Sequence, residues 1–441
     1  MKKPIILLAS ILTLSASIGA QSKISDFFNN PDAVTYHLKP HTSFRLGLLG
    51  YYSMGMATNL PFGPTDILAS GNNDWKENGK LIMDFSKIAD DSFLSEDGAK
   101  VNFMFDFHVV DFAWQGKRPG YDKTSKNPNE IYKDWGWGFS LSKISSRFDF
   151  GISKDLIQFI GKGNQNDRVV DAGFYMSGFV FDESLSGNWH KENFIIPKLY
   201  VSIGAAHYIP LVYIPRSEVK ATIDTSGENA KVTLKGDLQG YTSAKIRDDS
   251  FSGIDSGGFD LSLKAEYALF PILDIGISAT NIPLVPAHLT TRFSMDFNKT
   301  IIDGENFFDD PKLDTDIDTD IEYSSADKWV VRPMRWDLYS LFRPLGKDLL
   351  VLKPNIGFTA INPSEETYFN LGLETALNAG RWFTLSFFTG MEDGIARNRI
   401  GLDFNWYVLP IFIHLDMRSQ SYLRSWTLKG AAVTFGGAWA F

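Results

Sequence analysis

The amino-acid sequence predicts an all-β protein: a transmembrane antiparallel β-barrel of about fourteen strands (about 12–16), led by an N-terminal plug segment. Three observations predict it. Period-2 alternation recurs in segment after segment. In VNFMFDFHVV (101–110), Val101, Phe103, Phe105, Phe107 and Val109 face one way, and Asn102, Met104, Asp106 and His108 the other. These stretches run for roughly 9–12 residues, which a tilted strand needs to cross a bilayer. Finally, tight Pro- or Gly-centred connections alternate with long polar ones, as in barrels with short periplasmic turns and long external loops.

The chain has 441 residues, 14% of them aromatic, with 37 Gly and a formal charge of −9. No segment is strongly basic, which argues against nucleic acid as a partner. The absence of cysteine excludes disulfides, thiol catalysis and cysteine-ligated zinc.

Taken in order, MKKPIILLASILTLSASIGA has the layout of a cleavable bacterial signal peptide over 1–20, with the cut expected after Ala20. Residues 21–42 form a periplasmic or plug segment, and 43–441 the barrel. Candidate strands are 43–58, 99–113, 134–144, 147–153, 169–181, 193–207, 211–224, 257–270, 272–297, 329–342, 348–361, 367–377, 382–391, 397–409, 411–419 and 429–441. One of these is short, and another is interrupted by NIPLVPAH, so about fourteen are expected. Tight turns are read at Pro210, Pro271, Pro410 and LNAGRW; long external loops are read at 113–133, 298–328 and 418–427. The long connection 60–98 contains a short helix in LIMDFSKIA, and DLIQFIGKG (155–163) is a second short helix. No later apolar run is long enough for a spanning helix.

In such a barrel Phe103, Phe105 and Phe107 face lipid. The lumen takes Asp106, His108, Lys264, Glu266, Glu374, Asp403, His414, Asp416 and Arg418, of which Lys264, Glu266, Glu374, Asp403 and Arg418 are read as mutually satisfied charges. Asp106 with His108, and His414 with Asp416, are i,i+2 pairs that invite a hydrolase reading. No GxSxG pattern accompanies them, so the chain is read as a transporter and not an enzyme. The alternating acids of 309–322 lack the glycine and terminal glutamate of an EF-hand, and are read as a solvated loop. No cofactor or resident metal is expected.

FFNNPDAVTYHL places Asn30, Pro31 and Ala33 shortly before the first strand. It resembles the Asn-Pro-Ala plug element of the long-chain fatty acid transporter-like (FadL-like) outer-membrane family, with Asp32 inserted. LKPHTSFRLGLL and the terminal AWAF resemble the same family's first strand and ending. The resemblance implies a fourteen-stranded barrel, plugged from its N-terminus, that passes hydrophobic small molecules such as long-chain fatty acids without energy coupling. Hydrophobic capture is then expected from the 60–98 connection, through Phe62, Ile67, Leu68, Ile82 and Phe85. The expected partners are outer-membrane lipid, the hydrophobic ligand, and the outer-membrane insertion machinery reading Phe441. Alternatives are a general porin, a structural or surface-interaction barrel, and a hydrolase using His108 or His414.

Overall fold

The computed structural model describes residues 44–63, 66, 76–77, 80–81, 85–91, 94, 98–117, 132–162, 169–224, 230–247, 250–296, 299–303, 321–345, 349–361, 366–379, 383–404 and 408–440. The expectations for residues 1–42, for Phe441 and for most of 309–322 lie outside these.

Fourteen antiparallel strands close on themselves. The first five are β1 (Phe44–Thr58), β2 (Ala99–Lys117), β3 (Tyr132–Ile152), β4 (Val169–Lys191) and β5 (Leu199–Asp224), each paired with the next. Short strands β6 (Ala230–Lys235), β7 (Asp237–Thr242), β8 (Ala244–Arg247) and β9 (Ser250–Ile254) follow. The wall resumes with β10 (Gly258–Phe270) on β5, then β11 (Leu273–Val285). Strand β11 runs on past Pro286 into β12 (Ala287–Asp296), and β13 (Lys299–Asp303) pairs with β6. Strand β14 (Glu322–Val330) pairs with β12 and leads into β15 (Met334–Phe342), which pairs with β11. Then come β16 (Leu350–Ile361), β17 (Glu366–Ala379), β18 (Phe383–Glu392), β19 (Ile395–Phe404), β20 (Ile411–Ser419), β21 (Gly430–Gly437) and β22 (Trp439–Ala440). The last two pair with β1 and close the ring. Closure leaves no edge in the ring, the condition a sheet must meet in lipid.

The burial pattern is inside-out. Along β20, Ile411, Ile413 and Leu415 are exposed, whereas Phe412, His414, Asp416 and Arg418 are buried. On β2, Phe103 and Phe105 are 45% and 40% exposed, while Asn102 and His108 are buried. An apolar outer face around a polar interior is the pattern of a membrane-spanning barrel. Near the end that holds both strand termini, Phe112, Trp114, Trp135 and Trp137 cluster on the outer face, with centroids 4.9–6.1 Å apart. Such rings suit a headgroup interface.

Four sequence expectations differ from the structure. Pro210 makes no turn; it lies inside β5 at a register shift against Phe181, where a missing N–H is tolerated. The candidate strands 193–207 and 211–224 are therefore one. Likewise 134–144 and 147–153 are one strand, β3, which passes through Ser142 at φ 52° without losing register on either neighbour. Joining them reverses the place of the 113–133 connection. It links Lys117 to Tyr132, which pair at the end where Phe44 meets Trp114, so it belongs to the terminus end and not the opposite one. In addition, the β18–β19 connection is a two-residue hairpin, Asp393 (φ 53°) and Gly394 (φ 75°), the Asp-Gly chemistry of a tight hairpin turn.

Candidate functional site: the lumen and its mouth

Inward residues on adjacent strands form continuous rows, because antiparallel register sets them side by side. One row joins β20, β21, β1 and β2. Ser53 and Thr434 share a 3.0 Å hydroxyl bond, and Tyr51 stacks on His108 at 4.4 Å and meets Phe412 at 6.0 Å.

Beside this row lies a chain of ion pairs. Asp111 meets His108 Nδ1 at 3.1 Å, accepts from Ser140 Oγ at 2.7 Å and lies 3.6 Å from Lys143. Lys143 reaches Glu183 at 3.6 Å, and Glu183 accepts from Arg332. Arg332 donates bidentately to Asp260, at 2.7 and 2.8 Å, and lies over the Tyr208 ring. The chain thus runs from β2 to the β14–β15 junction, across strands that are not neighbours. His108 and Asp111, three apart, share the inner face because of a bulge. Leu49 of β1 (φ 48°) and Ser142 of β3 (φ 52°) flank it on both sides.

Towards the opposite end, the loop end, a second network fills the interior. Asp416 accepts from Arg397 (3.1 Å), Arg399 (2.8 Å) and Arg418 (2.9 Å). Glu392 accepts from Arg397 and, at 3.1 Å, from Arg335, which also grips Asp337. Arg147 of β3 pairs with Asp149 and donates to the backbone O of Asp393 in the β18–β19 turn at 3.1 Å. These two elements stand on opposite sides of the ring, so Arg147 braces the lumen from wall to wall. A third group joins β10, β15 and β16: Tyr339 donates to Glu266 at 3.0 Å, and its ring lies between the ammonium groups of Lys264 and Lys353. Gly276 makes room for that ring, since a Cβ there would fall 2.3 Å from Tyr339 Cζ.

The mouth at the loop end carries an apolar cluster. Phe62, Ile88, Ala89, Leu94, Ala99 and Ile157 are buried together, with Leu60 against them. They come from the 60–98 connection, including helix α1 (Phe85–Ala89), from the start of β2 at Ala99 and from helix α2 (Lys154–Lys162). Two ion pairs fix this cap to the 420–429 loop: Arg424 to Asp91, bidentate at 2.9 Å, and Lys429 to Asp66 at 2.9 Å.

Asp106, His108, Lys264, Glu266, Glu374, Asp403, His414, Asp416 and Arg418 all sit on the inward faces of their strands, and Arg418 pairs with Asp416, but the two histidines do not pair with the carboxylates two residues away. The carboxylate beside His108 is Asp111, and that beside His414 is Asp403, at 3.2 Å. Asp416 is fully buried among arginines, and Glu374 stands opposite Lys353 in register. Ser140 bonds the aspartate and not the imidazole, so a nucleophile–base pair is not assembled at His108. Of the capture candidates, Phe62 lies in the mouth cluster and Phe85 opens α1; Ile67, Leu68 and Ile82 lie outside the described residues. Arg147, Glu183, Arg332, Arg397 and Arg399 were not singled out in the sequence. Their only sequence signal is an ionisable residue on the polar face of an alternating strand.

No protein-family model matches the chain, and no curated protein does. Among solved structures, the TodX deltaS2S3 mutant monoaromatic hydrocarbon channel is 10% identical with a TM-score of 0.43, covering 96% of this chain and 95% of that one. The CymD monoaromatic hydrocarbon channel is 9% identical with a TM-score of 0.37, covering 98% and 97%. The Ralstonia pickettii toluene transporter TbuX is 6% identical with a TM-score of 0.32, covering 97% and 96%. Likeness at these TM-scores carries no argument about this chain, whose reading rests on the geometry above.

Proposed function

We propose that this chain is an outer-membrane barrel for passive uptake of hydrophobic small molecules. The observation that supports this best is the braced lumen beneath an apolar mouth. Buried arginines and carboxylates are tied to one another, and Arg147 spans to the opposite wall. An open aqueous pore uses its charged rings on passing ions. Here the same groups are occupied with each other, which favours a resting barrel closed to ions. The mouth, by contrast, gathers Leu60, Phe62, Ile88, Leu94 and Ile157. An apolar solute gains free energy there, at about 25 cal/mol per Å² of apolar surface removed from water. Phe62 and its neighbours fill this space with their own side chains, so a ligand enters by exchange with them. Ile67, Leu68, Ile82 and Phe85 belong to the same proposed capture region.

The reading is tested by uptake into cells producing the protein in their outer membrane. A radiolabelled long-chain fatty acid and a monoaromatic hydrocarbon are the probes, with a small sugar as control. Faster entry of an apolar probe but not of the sugar, slowed by Phe62→Asp, is the expected result. Faster sugar entry contradicts it and makes the barrel a general porin.

A further inference from the structure

The 420–429 loop does not stand up into solvent. Beyond Ser419 the chain turns outward and lays the single helical turn α3 (Tyr422–Ser425) against the outer side of the wall. Two hydrogen bonds fix it there: Ser425 Oγ accepts from Asn398 Nδ2 at 2.7 Å, and Tyr422 OH meets Thr389 Oγ1 at 2.6 Å. Asn398 and Thr389 are outward residues, one strand-repeat beyond Ile400 and Phe387, which are exposed on the outer face. On the loop's inner side, Arg424 is buried and tied to Asp91 of the mouth cap. Its outer side presents Tyr422, Leu423, Trp426 and Leu428, with Leu423 72% and Trp426 54% exposed.

We propose that this loop is a lipid anchor. Its Tyr422–Leu423–Trp426–Leu428 face rests in the membrane leaflet at the loop end, at the level where headgroups meet acyl chains. Exposed Phe387, Ile400 and Leu415 lie on the outer wall one outward repeat below Thr389 and Asn398, the two residues on which the loop rests. Asn398 stands two residues past Ile400, about 7 Å along the strand at a rise of about 3.4 Å per residue. That is the edge of the apolar band, where Trp and Tyr are favoured. Because Arg424 and Lys429 join the same loop to Asp91 and Asp66, the anchor also holds the mouth cap at a fixed height above the bilayer.

The proposal rests on the reading that the barrel spans a membrane, and one experiment separates the two. The chain has no cysteine, so single nitroxide labels are selective. Labels at Leu423→Cys, Ile400→Cys (outer wall) and Glu322→Cys (exposed, on β14) are compared in vesicles for collision with oxygen and with a water-soluble nickel chelate. Heat-modifiable mobility confirms folding of each variant. Leu423→Cys should collide with oxygen in preference to nickel, as Ile400→Cys does, whereas Glu322→Cys shows the reverse. Nickel access at Leu423→Cys equal to that at Glu322→Cys, with Ile400→Cys protected, overturns the anchor alone. Nickel access at Ile400→Cys as well overturns the spanning reading with it. Protection from both reagents with dipolar broadening at Leu423→Cys assigns the face to a second barrel, and overturns the lipid assignment.

Discussion

Arg332 is held by two carboxylates and an aromatic face, and it holds them in return. Asp260 is buried and Glu183 nearly so, and this guanidinium compensates both from β14–β15, with Lys143 as a second partner of Glu183. Removing one partner of a buried pair leaves an uncompensated charge, at a cost of about 3–5 kcal/mol. Arg332→Ala should therefore lower unfolding stability in denaturant by about that much. Arg332→Lys should recover only part of it, because an ammonium does not reproduce the bidentate grip on Asp260. A tighter steric relation governs Gly276. Its Ala variant puts a methyl group into the Tyr339 ring, which must move and release Glu266. Gly276→Ala should be destabilising, and combined with Tyr339→Ala it should cost far less than alone, a non-additivity that a double-mutant cycle reads directly.

At the scale of strands and turns, the two faces of one element obey opposite rules. Leu415 faces out and Asp416 in, one residue apart. Leu415→Arg places a charge in lipid and should cost about 2–4 kcal/mol if it lies near the midplane, less near an interface. Asp416→Asn keeps the shape of the inner side chain but leaves Arg397, Arg399 and Arg418 facing one another. It too should destabilise, and, unlike Leu415→Arg, it should be relieved by a second substitution, Arg399→Gln. Denaturant titration of the single and double variants checks both. The alternation that exposes these faces was legible in the sequence, because period 2 is a local property of a strand. Where strands end was less legible. Pro210 and the Ser142 region look like turns in one dimension, yet a register shift absorbs the first and a single left-handed residue the second, both inside long strands. The 420–429 loop reads as a polar external connection because Arg, Ser and Lys alternate with its apolar residues. Only the fold over Asn398 shows that the loop lies on the outer wall with Leu423 and Trp426 exposed.

For the molecule as a whole, strand number follows from counting alternating segments, but the identity of each ion pair follows from closure. His108 finds Asp111, and Arg147 finds Asp393, only once bulges shift the register and the ring brings opposite walls together. An offset of two suffices for a long arginine, as in Arg418–Asp416 and Arg147–Asp149, whereas His108 and His414 take the carboxylates that register shifts and neighbouring strands bring to them. The apolar mouth was partly legible through Phe62, while its contacts with Ile157 from α2 were not, since they join distant segments. Arg424 and Lys429 then clasp the cap to the wall. Arg424→Ala with Lys429→Ala should loosen the cap without unfolding the barrel. Proteolysis of the folded protein checks this, with faster cleavage between residues 60 and 98 expected.

The central claim is that the lumen is closed to ions at rest and that the mouth, not the pore, selects the solute. Single-channel conductance of the full chain in a planar bilayer tests this most directly. The account predicts almost no steady current from the intact protein, and step openings once the braces are removed in Arg147→Ala and Glu392→Gln. A wide, stable aqueous conductance from the unmodified chain would contradict it.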